Sequence, residues 1–179
     1  VSLPLFSIVR AGDEVLRQRA VEISPDALRE PPLQEMVARM IATMRAAPGV
    51  GLAAPQVGIS TRLIVLEDRA EYLSRVAPER IAERERSAFD VRVFINPTLQ
   101  PIGEQRVTFR EGCLSVPGYS ALVERYHEVE IAGLDEHGAP QRWRVCGWPA
   151  RILQHEVDHI DGILYVDRMI TRSLASDPP

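Results

Sequence analysis

Near the C-terminus, one stretch of helical spacing sets three polar side chains on an apolar stripe. Trp148, Ile152, His155 and His159 recur at intervals of three and four, with Glu156 beside His155. On a helix these five share one face. Pro149 suits the first turn of such a helix, and Gly162 suits the position just past its end. Trp148 and Ile152 mark the stripe as buried. Burying His155, Glu156 and His159 without partners would cost roughly 1–3 kcal/mol for each group. Two imidazoles one turn apart can share a divalent metal, and a glutamate between them can take a proton from metal-bound water. A fold for this chain must therefore build its interior around a metal-binding helix, with a hydrolase as the implied class.

The rest of the chain supplies the surrounding elements. Leu33, Met36, Val37, Met40, Ile41 and Met44 follow helical spacing, entered through Pro31-Pro32 and ended by Pro48-Gly49. This predicts an amphipathic helix whose methionines belong to the core. Gly49 to Gly58 reads as a glycine-punctuated loop, Arg62 to Glu67 as a short strand, and residues 69 to 88 as a charged helical excursion. From Val91 to Cys146 the signals are mostly β. Val91–Ile95 is one strand ending at Asn96-Pro97, and Val107–Phe109 is another. Tyr126–Leu134 and Gln141–Val145 form a hairpin about Asp135-Glu136-His137-Gly138. Ile163–Val166 reads as a last short strand. Helix, strands, then helix predicts an α+β class.

Composition narrows the setting. The 179 residues suit one domain, expected to span 1–179, and 45% hydrophobic with 26% charged content is ordinary for a globular chain. No apolar run is long enough for a membrane span, and Val1 to Phe6 lacks the pattern of a secretory signal. Arginine alternates with glutamate in Arg80 to Arg86, so no basic stripe points to nucleic acid; that run predicts an exposed helix face laced with ion pairs. All basic residues are arginine, a compositional bias rather than a functional signal. Two cysteines are too few for a disulfide scaffold and favour a reducing compartment.

A catalytic site of this kind needs a third protein ligand. No glutamate follows Glu156, and the spacing at which metzincins place a third histidine is filled by Tyr165. The third ligand is therefore expected upstream. His137 reads as a solvated turn residue, His127 as a core histidine and Cys146 as a buried, inert thiol. Cys113 sits in irregular sequence after a strand, between Gly112 and Pro117-Gly118, where functional groups are common. It is the favoured ligand. In the loop Gly49 to Gln56, small residues would let a substrate lie against backbone, and Gln56 carries an amide donor for an oxyanion.

Gly49 to Gln56, Glu111 to Ser115 and Gln154 to His159, taken in order, resemble the three motifs of the peptide deformylase family. The long excursion before Val91 and the run Gly147 to Arg151 look more like its organelle-type branch. The resemblance covers essentially the whole chain. It implies antiparallel and mixed sheets around the C-terminal helix, and removal of the formyl group from N-formyl-methionyl peptides, nascent chains at the ribosome among them. It implies Cys113, His155 and His159 as metal ligands, Glu156 as general acid and base, and Gln56 with the Leu114 N–H as oxyanion donors. Gly51 would pair with the substrate backbone, and Val50, Glu111, Gly112, Trp148 and Ile152 would line the substrate pocket. One divalent ion is implied, Fe(II) as the native one, with Zn(II), Ni(II) or Co(II) compatible. A homodimer is compatible. The expected compartment is a bacterial cytoplasm, or a mitochondrion or plastid for a processed chain.

Two rivals share these residues. A general metallopeptidase would keep the helix but need room for a larger acyl group. A non-enzymatic zinc domain would close a site with Cys113, Cys146, His155 and His159, leaving Glu156 without a role.

Overall fold

The computed structural model describes residues 4–176. Val1–Leu3, where the reading of the leader begins, and residues 177–179 lie outside the described residues. Helix α1 spans Pro31–Ala46, with proline in its first turn as expected. Strands β1 (Gly51–Ala53) and β2 (Leu63–Asp68) follow, then two short helices, α2 (Ala70–Leu73) and α3 (Pro78–Glu83). Strands β3 (Phe89–Pro101), β4 (Arg106–Cys113), β5 (Val116–Tyr126), β6 (Glu128–Leu134) and β7 (Pro140–Cys146) form the β block. Helix α4 (Gly147–Ile160), helix α5 (Tyr165–Arg168) and strand β8 (Ala175–Ser176) close the chain. Among the described residues, no helix is long and apolar enough to cross a membrane.

A five-stranded antiparallel sheet runs in the order β1-β2-β3-β6-β7, and a three-stranded one in the order β4-β5-β8. The alternation of side chains along a strand explains how α1 and α4 share the larger sheet. Leu63 and Val65 of β2, with Val93 and Ile95 of β3, join Val37, Met40 and Met44 of α1. Ile64, Leu66 and Phe94 turn the other way and pack with Ile152, Leu153 and Ile160 of α4. Strand β2 is thus buried on both faces, so its sequence is a continuous apolar run rather than an alternating one. Each such side chain contributes about 1.5–3 kcal/mol on burial.

Helix α4 also packs against β5, which places the β4–β5 hairpin over its other flank. Gln154 fixes the contact: its Oε1 accepts from Tyr126 N at 3.0 Å and its Nε2 donates to Tyr126 O at 2.8 Å. At the far end, the buried Arg62 guanidinium bonds Asp161 at 2.7 Å and reaches the last helical carbonyl, Ile160 O, at 3.4 Å. A cation there complements the negative end of the helix.

Several boundaries differ from the sequence expectation. Strand β3 does not stop at Asn96-Pro97 but passes through an irregularity and continues to Pro101. Asn96 takes a left-handed φ of +49°, and its amide bonds both Ile23 N and Ile23 O at 2.9 Å. Asparagine tolerates that conformation, so the break is local. Glu111-Gly112-Cys113 ends strand β4 rather than lying in irregular chain, and Pro117-Gly118 falls within β5. Ile163–Val166 is not a strand: Asp167 Oδ2 accepts from Leu164 N at 2.8 Å and caps the helical turn α5. The excursion is two short helices, and its charged run leaves α3 before Arg84.

Candidate active site

The sequence motifs meet at the mouth of α4. The glycine-rich segment brings β1 and Gln56, the β4–β5 turn brings Cys113 and Leu114, and α4 brings His155, Glu156 and His159. They surround a cavity of about 540 Å³. Every expected site residue except His159 lines it, including Val50, Gly51, Glu111, Gly112, Trp148 and Ile152. His159 is fully buried, with its ring edge-on to that of His155 at 4.9 Å between centroids.

Cys113 Sγ is 3.3 Å from His159 Nε2, and His159 Nε2 is 3.2 Å from His155 Nε2. The three donor atoms lie within 4.8 Å of one another. His155 Nδ1 faces Glu111 Oε2 at 3.0 Å, which leaves the Nε2 lone pair turned inward. Two inward imidazole nitrogens and a sulfur repel one another unless positive charge sits between them. Burial opposes charge on His155, yet Cys113 and Glu111 outweigh it and hold its pKa well above the ordinary histidine value. Burial and the charge on His155 push His159 well below. The donors therefore favour one positive charge at one point, and a thiolate with two imidazoles suits a divalent transition ion. The residues present fit such a group.

Glu111 proves to be more than a pocket-lining stem. Its carboxylate accepts from Arg125 Nε and a terminal Arg125 nitrogen, both at 2.9 Å, and from Arg151 at 2.6 Å. Burial would raise its pKa, but the bonds from His155 and Arg125 outweigh this and hold it well below the usual carboxylate range. Arg125 also bonds Asp158, which Arg168 grips at 2.7 and 2.8 Å. This network was missed in the sequence. Its members lie 10 to 44 residues apart and leave no local spacing to read.

Glu156 is buried, and its Oε2 has no hydrogen-bond partner among the described residues. Burial raises its pKa to about 7. Gly51 makes room for it: a Cβ at that position would stand 2.2 Å from Glu156 Oε1. Gln56 is equally fixed. Its Oε1 accepts from Ala53 N at 2.9 Å, so its Nε2 must face Ser115 Oγ at 3.3 Å and Cys113 Sγ at 3.5 Å.

Other expectations need correction. Cys146 is exposed rather than buried. It gathers with Glu85 and His127, so the four-ligand zinc site is not assembled. His127 is not a plain core histidine; it is half-buried and faces Glu85 at 2.7 Å. Trp148 is only half-buried, under the guanidinium groups of Arg84 and Arg86 at 4.7 and 5.3 Å. Arg86 is no exposed ion-pair partner: it bonds the fully buried Asp68 at 2.7 and 2.8 Å and lines the cavity. Arg110 lines it too. Tyr165 is stacked on His155 with ring centroids 6.3 Å apart, which accounts for a tyrosine at that spacing.

Fold and donor set together define an α+β protein built around a cysteine–dihistidine cluster on an HExxH helix. The polypeptide deformylase family model matches residues 5–174, and the chain belongs to that family. It is 49% identical to peptide deformylase 1A, chloroplastic/mitochondrial, of Arabidopsis thaliana over 97% of its own length, and spans 64% of that relative. It is also 49% identical to peptide deformylase 1 of Streptomyces coelicolor, over 95% of this chain and 76% of that one. The likeness thus runs equally to an organellar and a bacterial relative. A solved structure of the class I type b peptide deformylase of Acinetobacter baumannii, bound to Met-Ala-Ser, is similar with a TM-score of 0.83 and 33% identity. The match covers 94% of this chain and all of that one.

Proposed function

We propose that the chain is a peptide deformylase acting as one catalytic unit, hydrolysing the formamide of N-formyl-methionyl peptides on nascent chains. The observation that carries this reading is the buried Glu156 carboxyl, open to the cavity beside three convergent metal donors. Cys113, His155 and His159 would hold one divalent cation; Fe(II), Zn(II), Ni(II) and Co(II) all accept that donor chemistry. When bound, the cation supplies Lewis acidity that makes water a nucleophile near neutral pH.

The chain's own residues do the rest. Glu156 takes a proton from the attacking water. Gln56 Nε2 and the Leu114 N–H donate to the formyl oxygen as it gains charge. Glu156 then delivers the proton to the departing amine nitrogen, the C–N bond breaks, and formate leaves with a free α-amine. Strand β1 is the edge of its sheet, and β4 is the edge of the other. Both border the cavity, which supports binding of an extended peptide by strand addition. Val50, Trp148 and Ile152 offer apolar surface to a methionine side chain, and the Met-Ala-Ser bound in the Acinetobacter relative supports that substrate class. A thiolate ligand needs reducing surroundings. This supports the cytoplasm of a bacterium, the compartment we propose, and equally an organelle interior such as the Arabidopsis relative's name gives.

The test is formate release from formyl-Met-Ala by anaerobically prepared protein, with metal analysis of the same sample. Unformylated and N-acetylated peptides serve as comparison substrates. Formate release with one metal per chain is the expected result. Preference for the unformylated or acetylated peptides would make it a general peptidase instead.

A further inference from the structure

A second set of metal-type donors comes together outside the catalytic cavity. Glu85 follows α3, His127 lies between β5 and β6, and Cys146 ends β7. His127 Nε2 is 2.7 Å from Glu85 Oε1, and Cys146 Sγ is 3.5 Å from Glu85 Oε2. One oxygen, one nitrogen and one sulfur lie within 4.8 Å of one another. The three residues come from separate elements, up to 61 positions apart.

The backbone is shaped to make this meeting. Glu85 adopts a left-handed φ of +48°, and Gly147, next to Cys146, one of +66°. A Cβ at Gly147 would fall 2.6 Å from Glu85 Cβ and 2.9 Å from Arg84 O. Only glycine permits that approach. A glutamate in the left-handed region is strained and persists only where its surroundings hold it.

We propose that Glu85, His127 and Cys146 form a second divalent-cation site, suited to Zn(II), with water completing the shell. Zinc takes sulfur, nitrogen and oxygen donors at about 2.0–2.3 Å, which sets tetrahedral donor separations of roughly 3.4–3.7 Å. The 2.7 Å separation falls short of that range, the 3.5 Å one lies inside it, and all three donors lie within 4.8 Å, so side-chain torsions suffice to bring them to one ion. Glu85 and Cys146 are exposed and His127 is half-buried, so the ion has access from solvent. The ion would displace the proton of the Cys146 thiol.

The site has a structural consequence. Arg84 and Arg86 flank Glu85 and lie over Trp148, and Arg86 lines the catalytic cavity. A cation on Glu85 would tie this wall of the cavity to the start of α4.

The test begins with protein whose cavity site is already loaded. It is dialysed under reducing conditions against buffered micromolar Zn(II), and bound metal is counted. Two ions per chain are expected for the wild type and one for Cys146→Ser and for His127→Ala, with the cavity metal retained. One ion in the wild type, or a second that survives both substitutions, overturns the proposal. An independent readout needs no variant: Zn(II) should slow alkylation of Cys146 by at least about tenfold, because the reagent and the ion compete for the thiolate. An unchanged alkylation rate also overturns it.

Discussion

Two clusters of metal-type donors differ in what stands behind them. Around Cys113, His155 and His159, a further layer of bonds stands behind His155, while His159 Nδ1 has no hydrogen-bond partner among the described residues. Glu111 fixes His155, Arg125 and Arg151 fix Glu111, and Asp158 with Arg168 fixes Arg125. Around Glu85, His127 and Cys146 the donors bond chiefly to one another, at the surface. A buried donor set with braced orientations can hold an ion rigidly and aim chemistry at it. An exposed set without braces can bind an ion but leaves its position loose. The difference suits one cluster to catalysis and the other to fastening a loop.

The sharpest way to break this comparison is Glu156→Ala. Glu156, the proposed base, is a buried carboxylate beside the inner cluster whose Oε2 makes no bond among the described residues. Loss of activity by about 10²–10⁴-fold is expected, the range for removing a general acid–base, while metal analysis still finds the ion. Full activity would end the mechanism proposed for the inner cluster. Gly51→Ala comes next. The added methyl must displace Glu156, since 2.2 Å is far inside contact distance. A misplacement of about 1 Å costs on the order of 10²-fold, and kcat should fall more than KM rises.

Glu111→Gln tests the brace itself. The amide keeps the shape but removes the charge that faces His155 and two arginines. Metal affinity or activity should fall about 10–100-fold, as for other partners of metal-bound histidines. Buried Arg151 also loses its carboxylate partner and Arg125 is left with Asp158 alone, so thermal unfolding should shift downward. An equivalent change in the outer cluster, His127→Ala, should leave kcat/KM for the formylated peptide within the error of the assay. A matching loss in both would erase the distinction between them.

The inner cluster was legible because α4 compresses two proposed ligands and the proposed base into five positions, and helical periodicity exposes them directly. Cys113 needed elimination, and Gln56 needed the family likeness. The brace was invisible: Arg125 and Arg151 look like ordinary arginines in a chain where every basic residue is one. The outer cluster was missed for a related reason. In the sequence His127 reads as a core histidine and Cys146 as an inert thiol or a partner of Cys113 in a closed zinc site, whereas the left-handed turn at Glu85 brings them to each other. In the fold, long periodic elements such as α1 and α4 read correctly, whereas β5 was hidden by Pro117-Gly118 and α5 by the apolar run Ile163–Val166.

The smallest effect lies at an ion pair outside both clusters, and it sets a scale for them. Arg45 Nε and its terminal nitrogen each reach a Glu67 carboxylate oxygen at 2.8 Å, joining the end of α1 to β2. The hydrogen bond from Arg45 lowers the Glu67 pKa, and the bond to Glu67 raises that of Arg45. Because the folded Glu67 pKa is depressed, the pair's contribution is complete above the ordinary carboxylate range. It is lost as pH falls through the lowered value. Arg45 is substantially exposed, with 44% of its side-chain surface accessible, so solvent and salt screen the pair. Glu67→Gln should therefore cost no more than about 1 kcal/mol at neutral pH, and less in high salt. The difference between variant and wild type should vanish in acid, as measured by denaturant unfolding across pH. Cys146→Ser and His127→Ala, made in protein without added Zn(II), should move stability by no more than this. Glu111→Gln should move it several times further, because its guanidinium partners have no water to turn to.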